Sequence, residues 1–154
     1  MTRLAGRSEA PALTELINRA FQVEKFFIDG DRVQPRDVDA FFDKGEFLVA
    51  EDQLGLGGCV YLEIRGERAY FGLLSIDPGR QRSGMGRMLI QAAEERARER
   101  GCSHMDLQIV NLREELPAFY RKLGYLESGT APFPENVATK LPCHFVRMSK
   151  SLVS

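Results

Sequence analysis

The stretch LLSIDPGRQRSGMGR, residues 73–87, connects a strand-like run, residues 69–76, to the start of the most regular helical pattern in the chain. Successive backbone N–H groups in such a connection can point at one spot, and the helix N-terminus adds about half a positive charge there. Gly84 and Gly86 let a ligand approach the main chain closely. The stretch therefore predicts an anion-binding loop between a strand and a helix.

Three arginines flank this loop and would add charge-assisted hydrogen bonds to a phosphate: Arg80, Arg82 and Arg87. Common nucleotide motifs do not fit the stretch. It lacks the Lys-Ser/Thr ending of a Walker A loop, and Leu89 stands where a dinucleotide fingerprint needs its third glycine. On its own, the pattern also fits a tight strand-to-helix turn that is merely rich in glycine and arginine.

The patterns on either side of the loop predict one mixed α/β domain over residues 1–154. Short connections imply an antiparallel meander of three strands at residues 47–51, 57–64 and 69–76. After the loop, a helical stripe that ends near Gly101 consists of Met85, Met88, Leu89, Ala92, Ala93 and Ala97. Alternation over residues 105–109 predicts a further strand. The strand–helix–strand crossover favours its parallel pairing with the strand before the loop.

Helices are also predicted nearer the two ends of the chain. The first begins after Ser8, with Pro11 in its first turn and apolar positions that recur from Leu13 to Phe21. The others are placed from Pro35 onward and near residues 117–123. The tail is expected to contain a proline-interrupted loop, APFPENVATKLP at residues 131–142, and a final strand at residues 144–149.

Several motifs follow one another in a fixed order. The opening stretch contains Leu74-Ser75-Ile76-Asp77-Pro78 and Gln81-x-x-Gly84-x-Gly86, and beyond it come Asn111 and Phe119-Tyr120-x-Lys122-x-Gly124-Tyr125. In order and approximate spacing these elements resemble the coenzyme A core of the GNAT superfamily of N-acetyltransferases, over residues 47–125. The resemblance implies an α/β fold with a GNAT-type mixed, mostly antiparallel β-sheet, a splayed parallel pair of strands and flanking helices.

The resemblance also implies coenzyme-binding roles, with acetyl-CoA as the cosubstrate. Backbone N–H groups would hold the pyrophosphate at Gln81, Arg82, Ser83, Gly84, Met85, Gly86 and Arg87. The splayed strand would bind the pantetheine amides and polarise the thioester carbonyl at Leu74, Ser75 and Ile76. Asn111 would contact the pantetheine arm, and Tyr120 would lie near the thioester sulfur.

Acyl transfer from a thioester needs donors where the carbonyl oxygen becomes negative and a proton for the departing thiolate. A phenol with an ordinary pKa of about 10 stays protonated at neutral pH, so Tyr120 is the predicted catalytic acid. The alternative for Tyr120 is an aromatic on the buried side of a short helix, and for Asn111 it is a cap at a strand end. No general base is assigned; the candidates in neighbouring strands are Glu51, Glu63, Asp106 and His144.

The acceptor would bind in segments outside the resemblance. In the family these are the region of Phe26, Phe27 and Ile28 and the loop at residues 130–142. An aromatic-lined cleft with few carboxylates favours the primary amine of a small molecule, an amino acid or a peptide N-terminus over a polycation. The family often pairs through its C-terminal end, so the same loop and the last strand could instead support a homodimer. A non-catalytic acyl-CoA-binding sensor stays open as a different class of function, because no base is evident.

Composition argues against several other classes of function. The chain has 21 basic and 22 acidic side chains and a net charge of -1, so it has no overall attraction for nucleic acid or anionic membranes. No stretch approaches the roughly 18 apolar residues that cross a bilayer. Three cysteines without paired spacing argue against a disulfide framework and predict a reducing, cytoplasmic location. No histidine or cysteine lies at metal-ligand spacing, so no metal is expected.

Overall fold

Seven strands and four helices form the computed structural model, which describes residues 2–153. In chain order they are β1 (Thr2–Leu4), α1 (Ala10–Ala20), α2 (Pro35–Lys44), β2 (Glu46–Asp52), β3 (Gly55–Arg65), β4 (Arg68–Ile76), α3 (Met85–Glu99), β5 (His104–Val110), α4 (Leu116–Lys122), β6 (Leu126–Pro132) and β7 (His144–Ser151). The strands make one sheet in the order β1-β2-β3-β4-β5-β7-β6. Among the described strands, only β4 and β5 pair in parallel. The mixed, mostly antiparallel sheet expected from the sequence is confirmed.

Strand β2 shows how the sheet separates two apolar cores. Phe47 and Val49 pack on the side that carries α1 and α2, whereas Leu48 and Ala50 belong to the cluster beneath α3 and α4. Successive side chains of a strand point to opposite faces, so both faces of this strand are buried. Helices therefore cover the sheet on both sides, and the predicted meander lies at its centre.

Helix α3 packs against the sheet through Met85, Leu89, Ala93 and Ala97, which recur every four residues and are all buried. The helical stripe in the sequence also contains Met88, but this residue is 38% exposed. Met88 precedes Leu89 by one residue and so points about 100° away around the helix axis. Ile90 and Glu94 are buried instead, so the buried face of the helix is rotated relative to the stripe that the sequence indicates.

The parallel strands β4 and β5 pair over only three residues and then separate. Their ladder joins residues 68–70 to residues 104–106. Beyond Tyr70, the register of β4 against β3 shifts at a bulge, and Leu73 there has φ +53°. A bulge bends a strand and leaves part of its backbone outside the ladder. The parallel pair is therefore splayed, as the resemblance implied.

Two edge strands escape sequence prediction. Strand β1 pairs with β2 at one edge of the sheet, and β6 pairs with β7 at the other. Every residue of β6 except Ala131 is exposed, so the strand has no buried face that would produce an alternating pattern. The predicted loop at residues 131–142 is wrong at its first two positions, because Ala131 and Pro132 end β6. Proline is tolerated at such an edge.

Candidate functional site

A cavity of about 910 Å³ lies between the splayed ends of β4 and β5, within the size range of small-ligand sites. Its walls come from the far half of β4, the loop before α3, β5, α4 and the 3-10 turn Phe21–Glu24. The cavity brings together most of the predicted site residues: Leu74, Ile76, Gln81, Arg82, Ser83, Gly84, Met85, Gly86, Arg87 and Tyr120. Two others, Ser75 and Asn111, do not line it.

The backbone of the loop before α3 is open towards the cavity. Gly84 caps the helix with φ +82°, and Arg82 has φ +67°, so both adopt the left-handed conformation that favours glycine. A Cβ at position 84 would meet no atom within 4 Å, and a Cβ at position 86 would meet only the Ile76 side chain, at 3.7 Å. A ligand can therefore approach the main chain of this loop at the N-terminus of a fifteen-residue helix.

The three arginines around this loop differ in whether they form ion pairs. Arg80 donates hydrogen bonds to Asp52 at 2.8 Å and to Asp77 at 2.7 Å. The bond from Arg80 lowers the pKa of Asp52 to about 2. Arg82 and Arg87 line the cavity and form no ion pair with any of residues 2–153. Their charge is thus available to an anionic ligand, whereas Arg80 connects the loop to the last residue of β2.

The strand residues before the loop divide into two groups. The side chains of Leu74 and Ile76 contribute to the cavity wall. Ser75 is fully buried instead, and its Oγ donates a hydrogen bond to the Leu73 carbonyl at 2.8 Å. Ser75 pairs with Cys59 across the ladder. A coenzyme contact at Ser75 would have to come from its backbone, and this role stays a prediction.

Tyr120 lies in an aromatic cluster at the cavity wall. Its ring centroid is 5.1 Å from that of Phe119 and 6.0 Å from those of Phe71 and Tyr125. The side chain is 5% exposed, and burial raises the pKa of its phenol above the ordinary value. The phenol therefore stays protonated at neutral pH, which is the state that a proton donor needs. Tyr120 thus packs against other aromatic rings and also lines the cavity.

Asn111 is engaged at the end of β5. Its Oδ1 accepts a hydrogen bond from the His144 N–H at 2.8 Å, and its own N–H donates to the His144 carbonyl at 2.9 Å. This is the strand-end cap that the sequence left open as an alternative. A contact between Asn111 and the pantetheine arm stays a prediction.

None of the four candidate bases in the strands lines the cavity. His144 is exposed at the start of β7. Each of the three carboxylates instead forms an ion pair with an arginine: Glu51 with Arg3, Glu63 with Arg65, and Asp106 with Arg68. All three carboxylates are therefore engaged by an arginine outside the cavity, and a base among them stays unassigned.

The cavity contains a buried carboxylate that sequence reasoning missed. Glu24 is 5% exposed, and its Oε2 accepts a hydrogen bond from Arg113 at 2.9 Å. Burial raises the pKa of Glu24, while the charges of Arg113 and Arg32 oppose that rise. The pair joins residues 89 positions apart, so no local motif could have indicated it. Arg113 also contacts Glu115, whose side chain is largely exposed, at 3.0 Å.

The two segments that the resemblance assigns to the acceptor lie side by side. Ile28 forms an isolated bridge with Thr139, and the Lys140 N–H donates to the Phe27 carbonyl at 2.7 Å. Of the three predicted aromatic and aliphatic residues, only Ile28 reaches the cavity. Phe27 is fully buried and does not line the cavity, and Phe26 is 52% exposed.

Within residues 2–153, no group of three or more His, Cys, Asp or Glu side chains is placed to hold a metal ion. In the same part of the chain, no helix combines the length and apolar character needed to cross a membrane.

Comparison with known proteins gives a family match over the core of the chain. The model of the acetyltransferase (GNAT) domain matches residues 43–127. Mycothiol acetyltransferase of Clavibacter sepedonicus is 31% identical over 94 residues, which are 60% of this chain and 31% of that protein. Streptothricin acetyltransferase of Streptomyces lavendulae is 32% identical over 79 residues, which are 46% of this chain and 42% of that protein. The chain thus covers less than half the length of these two curated relatives.

The fold also matches solved structures over almost its whole length. The protein yncA from Salmonella typhimurium, solved with its cofactor acetyl-CoA, superimposes with a TM-score of 0.76 at 19% identity. The match covers 100% of this chain and 94% of that chain. At this identity the similarity concerns the fold alone.

Proposed function

This chain belongs to the GNAT family of acetyltransferases, and from that membership we propose that it moves an acetyl group from acetyl-CoA to a primary amine. The acceptor class is a small molecule, an amino acid or a peptide N-terminus. The observation that carries the proposal is the cavity between β4 and β5, which has the open anion-binding loop and Tyr120 in its walls. The acetyltransferase relatives give independent support.

The loop at residues 81–87 binds the pyrophosphate of acetyl-CoA. Its fit to that group is supported by the open backbone at Gly84 and Gly86 and by the cavity-lining Arg82 and Arg87. Backbone N–H groups at the N-terminus of α3 donate to phosphate oxygens, and the helix dipole favours their negative charge. The side chains of Arg82 and Arg87 add charge-assisted hydrogen bonds.

Acetyl transfer then depends on groups in the cavity wall beyond the loop. The backbone of β4 at Leu74, Ser75 and Ile76 lies where the strand has left β5, and it supplies N–H donors to the thioester carbonyl. The amine nitrogen bonds to the carbonyl carbon, the carbon–sulfur bond breaks, and Tyr120 gives its proton to the departing thiolate. The proton that the nitrogen loses as it becomes an amide passes through solvent and restores the Tyr120 phenol. A phenol carries its proton at neutral pH already at its ordinary pKa of about 10, and burial raises the pKa of Tyr120 further.

Calorimetry combined with a thiol assay tests the proposal. Titration with acetyl-CoA should show saturable binding, and a panel of primary amines should include acceptors that increase the release of CoA thiol. Arg82→Gln should weaken the binding of acetyl-CoA. Arg36→Gln, which changes an exposed arginine that does not line the cavity, should not. Saturable binding without acceptor-dependent thiol release across the panel would favour the acyl-CoA sensor instead.

A further inference from the structure

Part of the cavity wall carries charges of both signs that acetyl-CoA binding does not explain. We name as the acceptor wall the cavity-lining residues Phe21, Glu24, Arg32, Arg113, Phe133 and Phe145. We propose that the acceptor wall binds a small molecule that carries an amine and a carboxylate together, as a free amino acid does, with the amine at Glu24 and the carboxylate at Arg32. This inference rests on the proposed acetyl transfer and narrows its acceptor.

Glu24 has one carboxylate oxygen left for a ligand. Arg113 bonds Oε2, and no residue among 2–153 donates a hydrogen bond to Oε1. No fully buried side-chain oxygen or nitrogen in the described residues lacks a partner, so Oε1 is accessible, and Glu24 lines the cavity. An ammonium group satisfies such an oxygen with a charge-assisted hydrogen bond. The positive charge of the ammonium group would further oppose the rise in the pKa of Glu24 that burial causes.

Arg32 supplies the opposite charge without a partner of its own. It lines the cavity and forms no ion pair within the described part of the chain. Its guanidinium lies over the Phe21 ring, 5.5 Å from the centroid, which orients the group while leaving its N–H edge free. Burial raises the pKa of both Glu24 and Tyr70, and the Arg32 charge opposes that rise at each group, so its field reaches the interior of the cavity.

The remainder of the acceptor wall is aromatic. Phe133 and Phe145 have ring centroids 5.0 Å apart and both line the cavity. These rings suit an apolar side chain on the acceptor. A polycation is disfavoured because the unpaired charge of Arg32 would repel it. Amine, carboxylate and apolar side chain together describe an apolar amino acid.

The test compares L-leucine, L-methionine and L-phenylalanine with their methyl esters and with dipeptides that begin with the same residues. Binding is measured by NMR titration of the CoA-saturated protein, and turnover by thiol release from acetyl-CoA. Three proteins are compared: wild type, Arg32→Gln and the control Arg36→Gln. The control changes an exposed arginine that does not line the cavity. An ester amine is less basic than that of the free acid and would react faster if the amine alone mattered.

We expect at least one free amino acid to bind about tenfold or more tightly than its ester and its dipeptide. Arg32→Gln should remove that preference, and Arg36→Gln should keep it. Preferential binding that depends on Arg32, but without thiol release, would support this inference and refute the proposed activity. Thiol release with esters or dipeptides as efficient as with free acids would overturn this inference and leave the activity standing. Failure of all three amino acids to bind would also overturn it.

Discussion

Tyr120 is the single residue on which the proposed acid catalysis depends. Tyr120→Phe removes one oxygen and keeps the ring that packs against Phe71 and Phe119. If the phenol protonates the thiolate, kcat should fall by about 10²- to 10⁴-fold, while the Kd for acetyl-CoA changes far less. The measurement is kcat with one working amine acceptor between about pH 6 and pH 9.

Tyr125 offers a matched control in the same aromatic cluster. Its hydroxyl donates to Glu94 at 2.7 Å, and the residue does not line the cavity. Tyr125→Phe should lower the free energy of unfolding by about 1–3 kcal/mol, because it leaves a buried carboxylate with one donor fewer, and kcat should stay near that of wild type. Superimposable pH profiles for wild type and Tyr120→Phe would remove Tyr120 from the mechanism and leave only the β4 backbone donors.

Individual site residues differ in how far the sequence reveals them. Tyr120 belongs to a local motif, and its place in the cavity wall follows from that motif. Glu24 has no local signal, because its surroundings arise only when folding brings Arg113 within hydrogen-bonding distance. Asn111 also belongs to a motif, yet its Oδ1 bonds the His144 backbone. Asparagine commonly binds backbone groups in this way, so the sequence could not choose between cap and ligand contact.

Among the elements, the junction between the loop and α3 contains two glycines whose substitution should affect ligand binding and stability differently. Gly86→Ala adds a methyl group that meets only the Ile76 side chain at an ordinary 3.7 Å, and alanine suits a helix better than glycine. The free energy of unfolding without ligand should therefore stay the same or rise by up to about 1 kcal/mol. The Kd for acetyl-CoA should rise about tenfold, because the methyl group occupies space needed by the pyrophosphate.

Gly84→Ala is the complementary change. At φ +82° a Cβ is strained although it meets no atom within 4 Å, so the variant should lose about 1–2 kcal/mol of unfolding free energy. Calorimetric titration and urea unfolding of both variants check the pair. Unaltered acetyl-CoA affinity in Gly86→Ala would contradict the assignment of this loop to the pyrophosphate.

Helices and strands were predictable from the sequence where burial of one face produces a periodic pattern of apolar residues. Helix α3 and strand β5 show clear patterns because one face of α3 and alternate residues of β5 are buried. Strand β6 is almost wholly exposed and pairs on one side only, so backbone hydrogen bonds, rather than side-chain burial, define it. Hydrogen bonds of this kind leave no trace in the order of apolar residues.

In the molecule as a whole, the Asp52–Arg80 pair connects the end of β2 to the anion-binding loop. The pKa of Asp52 is lowered from 3.8 to about 2 by its bond with Arg80, so the folded state favours the ionised form. The stabilisation is present above the unfolded-state pKa and is lost as the pH falls from about 4 towards 2. Urea unfolding of wild type and Asp52→Asn should show a stability difference at neutral pH that disappears in this window. A difference that persists at the acid end would contradict the pairing.

The sequence predicts more of the overall architecture than of the cavity. Strand order within the meander and the parallel crossover rest on connection lengths and handedness, which the sequence reveals. The splay between β4 and β5 rests on a bulge at Leu73, whose positive φ has no signature in an apolar run. The resemblance supplied this feature, whereas periodicity alone could not. Of the acceptor wall, Phe133 lies in the loop to which the resemblance assigned the acceptor, whereas Glu24, Arg32 and Arg113 come together only in the folded molecule.

The proposed function requires that this protein join an acetyl group from acetyl-CoA to an amine nitrogen. The most direct measurement follows isotope-labelled acetyl-CoA by mass spectrometry, with thiol release recorded in the same reaction. One labelled acetyl group should appear on the acceptor nitrogen for each thiol released, and both should decrease strongly for Tyr120→Phe. Thiol release accompanied by labelled acetate, with no labelled amide, would contradict the proposed acetyl transfer.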